Sequence, residues 1–299
     1  MTTNKNFFYV LLFFAMFGWG ASWVNVKVLS NFINEYELVL IRFSITAITM
    51  LPIIIFLRKS FKIDFKTFLL VIATSLVFIA YMKYFFLGTK YGTASLGGAF
   101  VTTLIPINTF IFLALLKIKK IEKKDIFALF LGGIGVLTML NIWHFKFENI
   151  FVIQNLYFIL ASILWPIFTI LSSKATKISP IVFSFYLYVI TSFITLVLFI
   201  DLNAIQYEKF DYIFWLNIFS ITIFASTFAN TIYFLGIEKL GTSEVSSFIF
   251  LVPFFAIVLS IIFLNEKVTI SIILGTILTL ISVKILNNIK LFRKMNNHS

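Results

Sequence analysis

The chain has 299 residues, of which 61% are hydrophobic and only 12% charged, against about a quarter charged in an ordinary soluble domain. That deficit excludes a body whose surface is meant for water. No cysteine is present, which excludes disulfides, thiolate catalysis and cysteine metal centres. The two histidines, His144 at a helix end and His298 in the tail, do not form a metal cluster. The net charge of +12 would point to nucleic acid in a soluble protein. Here the basic residues fall between apolar runs, so they report membrane topology and no nucleic-acid partner is expected.

A bilayer-spanning helix needs about 20 apolar residues. Ten such runs follow one another at 7–29, 36–57, 67–88, 93–116, 125–142, 151–173, 180–200, 212–235, 242–264 and 268–288. Inside hydrocarbon each backbone N–H and C=O must bond within its own segment, so these runs are helices despite their Ile, Val and Phe content. Lys5 precedes the first run, and no small-residue cleavage site follows it. That run therefore reads as a first helix and not as a removed signal peptide. Most of the 40 phenylalanines belong to lipid-facing surface, leaving only a few for any pocket.

Lysine and arginine in short loops orient a membrane protein. With the N-terminus inside, sixteen of them fall on inner segments: Lys5; Arg58, Lys59, Lys62, Lys66; Lys117, Lys119, Lys120, Lys123, Lys124; Lys174, Lys177; Lys239; Lys290, Arg293, Lys294. Four (Lys90, Lys146, Lys209, Lys267) fall outside, and four (Lys27, Arg42, Lys83, Lys284) fall within spans. The expectation is ten helices with both termini cytoplasmic, in the cytoplasmic membrane. Trp23, Trp143 and Trp215 fall near expected outer ends, where amphipathic rings prefer the interface. Trp19 and Trp165 fall near the middle of spans one and six.

Residues 84–106, YFFLGTKYGTASLGGAFVTTLIP, repeat in outline at 233–253, YFLGIEKLGTSEVSSFIFLVP. Glu122 with Gly132 parallels Glu266 with Gly275, and Trp19 parallels Trp165. Two halves are expected, 1–145 and 146–299. A unit of five helices is odd, so its second copy enters the membrane from the opposite side. Inverted repeats are a recurrent basis of secondary transporters, with the substrate site near the midplane between them.

These residues resemble the drug/metabolite transporter superfamily, in its branch with two EamA domains, over nearly the whole chain. The carriers are Gly18-Trp19-Gly20 with Lys27, Arg42, Gly92-Thr93-Ala94-Ser95 before Pro106, and Gly241-Thr242-Ser243-Glu244 before Pro253. Asn265-Glu266 leading to Gly275 matches the family's Gly-Glu and distant glycine, with asparagine in place of the first glycine. The resemblance implies a carrier that exports or exchanges amino acids, related metabolites or drugs.

An intramembrane charge costs about 2.5–3.5 kcal/mol at a helix centre on insertion scales, so Arg42 is the first site candidate. Lys27 and Lys83, with Lys90, would join it in a basic vestibule that favours carboxylates or other anions. The alternatives are lysines that snorkel to headgroups and an Arg42 paired with Glu35 or Glu37. None of the twelve acidic residues lies near the middle of a span, which argues against a cation pump built on a buried glutamate. Glu244 and Lys284 are an expected structural pair. Pro106 and Pro253, expected near the middle of spans four and nine, are hinge candidates, because proline removes a helix hydrogen bond. Asn108 would bond freed backbone or touch substrate. Trp19, Tyr81, Trp165 and Tyr186 are candidates for lining the cavity. The small residues Gly97, Gly98, Gly132, Gly133 and Gly135 read first as close helix packing.

Enzyme readings fail. Thr93-Ala94-Ser95-Leu96-Gly97 lacks the first glycine of a nucleophile elbow and has no histidine partner, and no phosphate loop is present. No cofactor is expected. The partners expected are a small-molecule substrate and the lipid bilayer, and a homodimer is compatible with this chemistry. The competing reading is a non-transporting interaction subunit or a handler of lipid-linked intermediates.

Overall fold

A computed structural model describes residues 5–141, 152–241, 245 and 247–286. The helices are α1 (Lys5–Leu29), α2 (Glu35–Phe56), α3 (Phe65–Tyr91), α4 (Ala94–Leu115), α5 (Lys123–Met139), α6 (Ile153–Ser172), α7 (Pro180–Phe199), α8 (Tyr212–Leu240), α9 (Leu251–Leu264) and α10 (Ile270–Leu286). The half boundary, Trp143, His144, Thr242–Glu244 and the C-terminal tail lie outside the described residues, and so does the expected Glu244 pairing.

Local chemistry fixes the helix ends. Asn34 caps α2 by accepting from the amides of Tyr36 and Glu37, while Glu37 accepts from the amide of Asn34. Glu37 is thereby committed to a capping box and not to Arg42. Asp64 caps α3 and Asp211 caps α8 in the same way. At the other ends Arg58, Lys117, Asn141 and Asn265 take left-handed φ values between 50° and 58°. Asn265 closes α9 in that conformation, which asparagine tolerates better than other side chains bearing a Cβ. This is why asparagine serves where the family pattern has glycine.

Two helices outrun their expected ends. α3 continues through Gly88 to Tyr91, and α8 through Gly236 to Leu240. Gly88 does not stop its helix; its missing Cβ makes room for the Phe158 ring, 2.6 Å from where that atom would stand. α9 departs the other way. A 3₁₀ turn at Ser247–Phe250 precedes an α-helix that starts at Leu251. Pro253 therefore stands in the first turn, where an amide hydrogen has no helical partner to lose, and not at mid-span. Pro106 does stand mid-helix in α4.

Among the described residues, seven helices are long and apolar enough to cross a bilayer, and α9 and α10 are shorter apolar helices. α5 has 17 residues, near the lower limit of about 17 for a span. Only 28–50% of the most apolar window of each long helix is buried, so half or more of each faces outward. Ile48, Phe56, Phe130, Phe193 and Phe263 are among the exposed apolar side chains, which is the surface lipid would cover. Trp215 is exposed near a helix end, whereas Trp23 is buried against Phe85 at 4.4 Å and does not anchor an interface.

The extensive helix pairings join the halves. α5 packs on α10, α2 on α7 and α4 on α9; α1 packs on α8 and α9, as α6 does on α3 and α4; α2 meets α8, as α7 meets α3. Exchanging the first five helices with the last five maps this set onto itself. The central pairs close through small residues. A Cβ on Gly275 would stand 2.7 Å from the Met139 amide nitrogen, and one on Gly135 2.9 Å from the Gly275 carbonyl. Without a hydrophobic drive in lipid, such backbone proximity is what holds helices together.

Candidate functional site

The polar groups inside this bundle converge where α1, α2, α3, α7 and α8 meet. α8 is π-helical over Ser220–Phe228, a distortion often found at functional sites. Ser226 follows that spacing, donating from Oγ to the Ile221 carbonyl five residues back at 2.8 Å. The π segment turns hydroxyls toward the other half. Ser220 accepts from Asn25 of α1 at 2.9 Å, Thr227 pairs with Thr49 of α2 at 2.6 Å, and Ser226 accepts from Arg42 Nε at 3.0 Å.

Arg42 is 8% exposed. Its guanidinium carbon sits 5.3 Å from the centre of the Phe43 ring, and the far side of this aromatic layer is Tyr188, stacked on Phe43 at 5.0 Å and 17°. Phe78 packs against Phe43 at 5.0 Å and against both Tyr81 and Tyr188 at 6.2 Å, which ties both tyrosines to this layer. Among the described residues no carboxylate lies within ion-pair distance of Arg42, and its terminal nitrogens have no protein acceptor. Behind Tyr188, Asn230 donates from Nδ2 to the tyrosine oxygen at 2.6 Å and accepts from Trp19 Nε1 at 3.0 Å. On the α3 side the Tyr81 ring packs against Trp165 at 4.7 Å, and Trp165 against Phe168 at 5.1 Å.

Arg42, Tyr81, Trp165 and Trp19 are thus brought into one neighbourhood, with Trp19 acting through its N–H. The other expected residues lie elsewhere. Lys27 donates to the carbonyls of Lys90 and Gly92 at 2.8 and 2.6 Å. Lys83 sits over the Tyr36 ring at 5.6 Å, and Lys90 over Phe86 and Tyr91. Each lysine is satisfied separately, and they do not pool into a vestibule with Arg42. Asn108 clasps α4 to α6 by donating to the carbonyl and hydroxyl of Ser162, each at 3.0 Å. Tyr186 donates to the Phe61 carbonyl at 2.7 Å, toward the α2–α3 loop. Gly97 and Gly98 face Phe158, Trp23 and Ala256 at van der Waals contact or closer, which is close packing.

Tyr188, Asn230 and Ser226 were not read from the sequence as site residues. A signal existed for two of them. Tyr188, Thr191, Ser192 and Thr195 recur at three- and four-residue spacing on α7, a polar stripe on an apolar helix. Asn230 is an amide in the interior of a span. The hydroxyls of Thr191, Ser192 and Thr195 are buried with no hydrogen-bond partner among the described residues.

The pattern for the EamA-like transporter family matches residues 6–141 and again 152–288. The chain belongs to the EamA-like transporter family. It is a multi-pass membrane protein of two EamA domains, as the repeat implied. It is 23% identical over 287 residues to the uncharacterized transporter YyaM of Bacillus subtilis (strain 168), covering 94% of this chain and 93% of that protein. A crystal structure of a protein 15% identical in sequence superposes with a TM-score of 0.62, covering 95% of this chain and 98% of the other. That likeness concerns the fold alone. In this EamA-like chain the Arg42 cluster lies at the junction of the two matched segments' helices, with Arg42 from the first and Ser226, Tyr188 and Asn230 from the second.

Proposed function

We propose that this transporter is a secondary carrier that exports or exchanges small metabolites, amino acids or related compounds and drugs among them, across the cytoplasmic membrane. The observation that carries the reading is Arg42: a buried guanidinium without a carboxylate partner among the described residues, held between the halves by a polar network. Such a charge is costly in a membrane and marks substrate and ion pathways. The pathway runs past Arg42 with Tyr81, Trp165 and Trp19. Lys27, Lys83, Asn108 and Tyr186 position its ends and walls. The two five-helix units, joined near residue 145, are inverted copies with both termini cytoplasmic, and they rock about the Arg42 layer with Pro106 as a hinge.

The test is flux. The protein is reconstituted in liposomes loaded with an amino-acid and organic-acid panel, and counterflow is followed for the wild type and for Arg42→Ala. Saturable counterflow of at least one solute, lost in the variant, supports the reading. No flux of any solute, together with a stable complex with another membrane protein, would establish an interaction subunit instead.

A further inference from the structure

The hydrogen bonds around Arg42 run in one direction. An indole N–H only donates, so the Asn230 oxygen must face Trp19 and the Asn230 NH₂ must face Tyr188. The Tyr188 oxygen therefore accepts, and its own O–H is left to donate elsewhere. Ser226 accepts from Arg42 and passes its hydrogen to the Ile221 carbonyl. Thr46, on the next turn of α2, passes its hydrogen to the Arg42 carbonyl at 2.7 Å. What remains, among the described residues, is a set of donors without a protein acceptor: the terminal nitrogens of Arg42, the O–H of Tyr188 and the O–H of Tyr81, whose ring shares Phe78 as a neighbour with Tyr188. Both tyrosines are more than nine-tenths buried. Donors that the protein leaves unmatched are open to an arriving acceptor.

We infer that this cluster is an oxyanion receptor that takes the carboxylate of the substrate, with the planar guanidinium and the two phenolic O–H groups as donors and Trp19 and Asn230 as positioning residues. The inference rests on the transport reading and names its substrate class. A carboxylate matches in charge and shape. It offers two oxygens to a guanidinium fork and one negative charge to one positive charge. A phosphate dianion would leave a buried charge uncompensated, because Lys27 and Lys83 are engaged at the helix ends. The wall beside the receptor is Trp165 with Phe168 and Phe78, so the body of the substrate is apolar or aromatic.

The experiment is a thermal-shift titration of the purified protein with phenylalanine, leucine, phenylpyruvate and benzoate. Each is compared with its carboxamide, and phenethylamine and a phosphate monoester serve as cation and phosphate arms. Carboxylates are expected to raise the unfolding midpoint and the other compounds not to. Arg42→Gln is expected to abolish the shift, and Arg42→Lys to weaken it. Tyr188→Phe keeps the stack on Phe43 and is expected to weaken apparent affinity about 10-fold or more, the scale of a hydrogen bond to a charged group. Trp19→Phe frees Asn230 to turn its oxygen toward Tyr188. It is expected to weaken carboxylate binding several-fold without lowering the midpoint of the unliganded protein by a comparable share. Carboxamides as effective as carboxylates, a stronger shift from the amine or the phosphate ester, or full binding by Arg42→Gln would each overturn the inference. Flux of solutes with no carboxylate preference would sink this inference and leave transport standing. Carboxylate-dependent stabilisation without flux would do the reverse.

Discussion

Glu266, in the loop between α9 and α10, closes on Ser95 at the start of α4 in the other half. Its two oxygens accept from the amides of Ala94 and Ser95 at 2.7 and 2.9 Å and from the Ser95 hydroxyl at 2.6 Å. A helix N-terminus has unpaired N–H groups and a positive dipole end, so one carboxylate satisfies three donors across the junction. Glu122, which parallels Glu266 in the first half, pairs with Lys124 at 2.8 Å. Glu266→Ala is expected to destabilise the protein by about 2 kcal/mol, the upper range for a lost cap. Glu266→Gln, with one acceptor oxygen left, is expected to recover part of this. Thermal unfolding of the three proteins in one detergent checks the order.

Gly275 of α10 and Gly133 of α5 give a paired prediction. Gly275 has the Met139 side chain 2.6 Å from where a Cβ would stand, whereas Gly133 has nothing within 4 Å. Gly275→Ala must push α10 off α5 and is expected to cost about 1–3 kcal/mol, the scale of overpacking. Gly133→Ala meets open space and removes a poor helix former, worth up to about 1 kcal/mol. It is expected to be neutral or stabilising. Equal losses in both variants would refute the close crossing.

What the sequence revealed and what it hid divide along physical lines. The ten helices were legible because each apolar run carries its own signal, whatever lies elsewhere in the chain. Arg42 was legible because charge inside an apolar run is rare. The partners of these residues were not. Glu266 and Ser95 are 171 positions apart, and nothing local records that contact. Lys27 and Lys83 read as pathway residues from their depth alone, but their ammonium groups reach carbonyls and a ring at the helix ends. Trp19 read as a stacking surface, and its N–H proved to be what matters. The π segment of α8 leaves no compositional mark, so the face that carries Ser226 was hidden too.

Acid should act on Asp64, which caps α3 and pairs with Lys177 at 3.4 Å. The hydrogen bonds from Thr67, side chain first, hold its carboxyl below the usual carboxylate range. A lowered folded pKa contributes stability that is present above the unfolded value, about 3.9, and is lost as pH falls through the folded one. Asp64→Asn keeps a good cap and loses the charge. The wild type is therefore expected to exceed this variant in unfolding midpoint at neutral pH, with the gap closing below about pH 4. A gap that stays constant across that window would contradict the assignment.

The orientation can be tested directly because the chain has no cysteine, so a single introduced thiol is the only one present. Ser60 lies between α2 and α3, in the loop that carries Arg58, Lys59 and Lys62. Tyr91 ends α3 and is 56% exposed. If loop lysines set the topology, a membrane-impermeant maleimide added to intact cells should label Tyr91→Cys and spare Ser60→Cys until the membrane is opened. A third thiol at Lys209, before α8, should behave like Tyr91→Cys, because an inverted second half returns that loop to the outer face. Labelling of Ser60→Cys from outside would reverse the whole assignment. Labelling of Tyr91→Cys but not Lys209→Cys would break the inversion while leaving the first half as drawn, and would locate the error between α4 and α8.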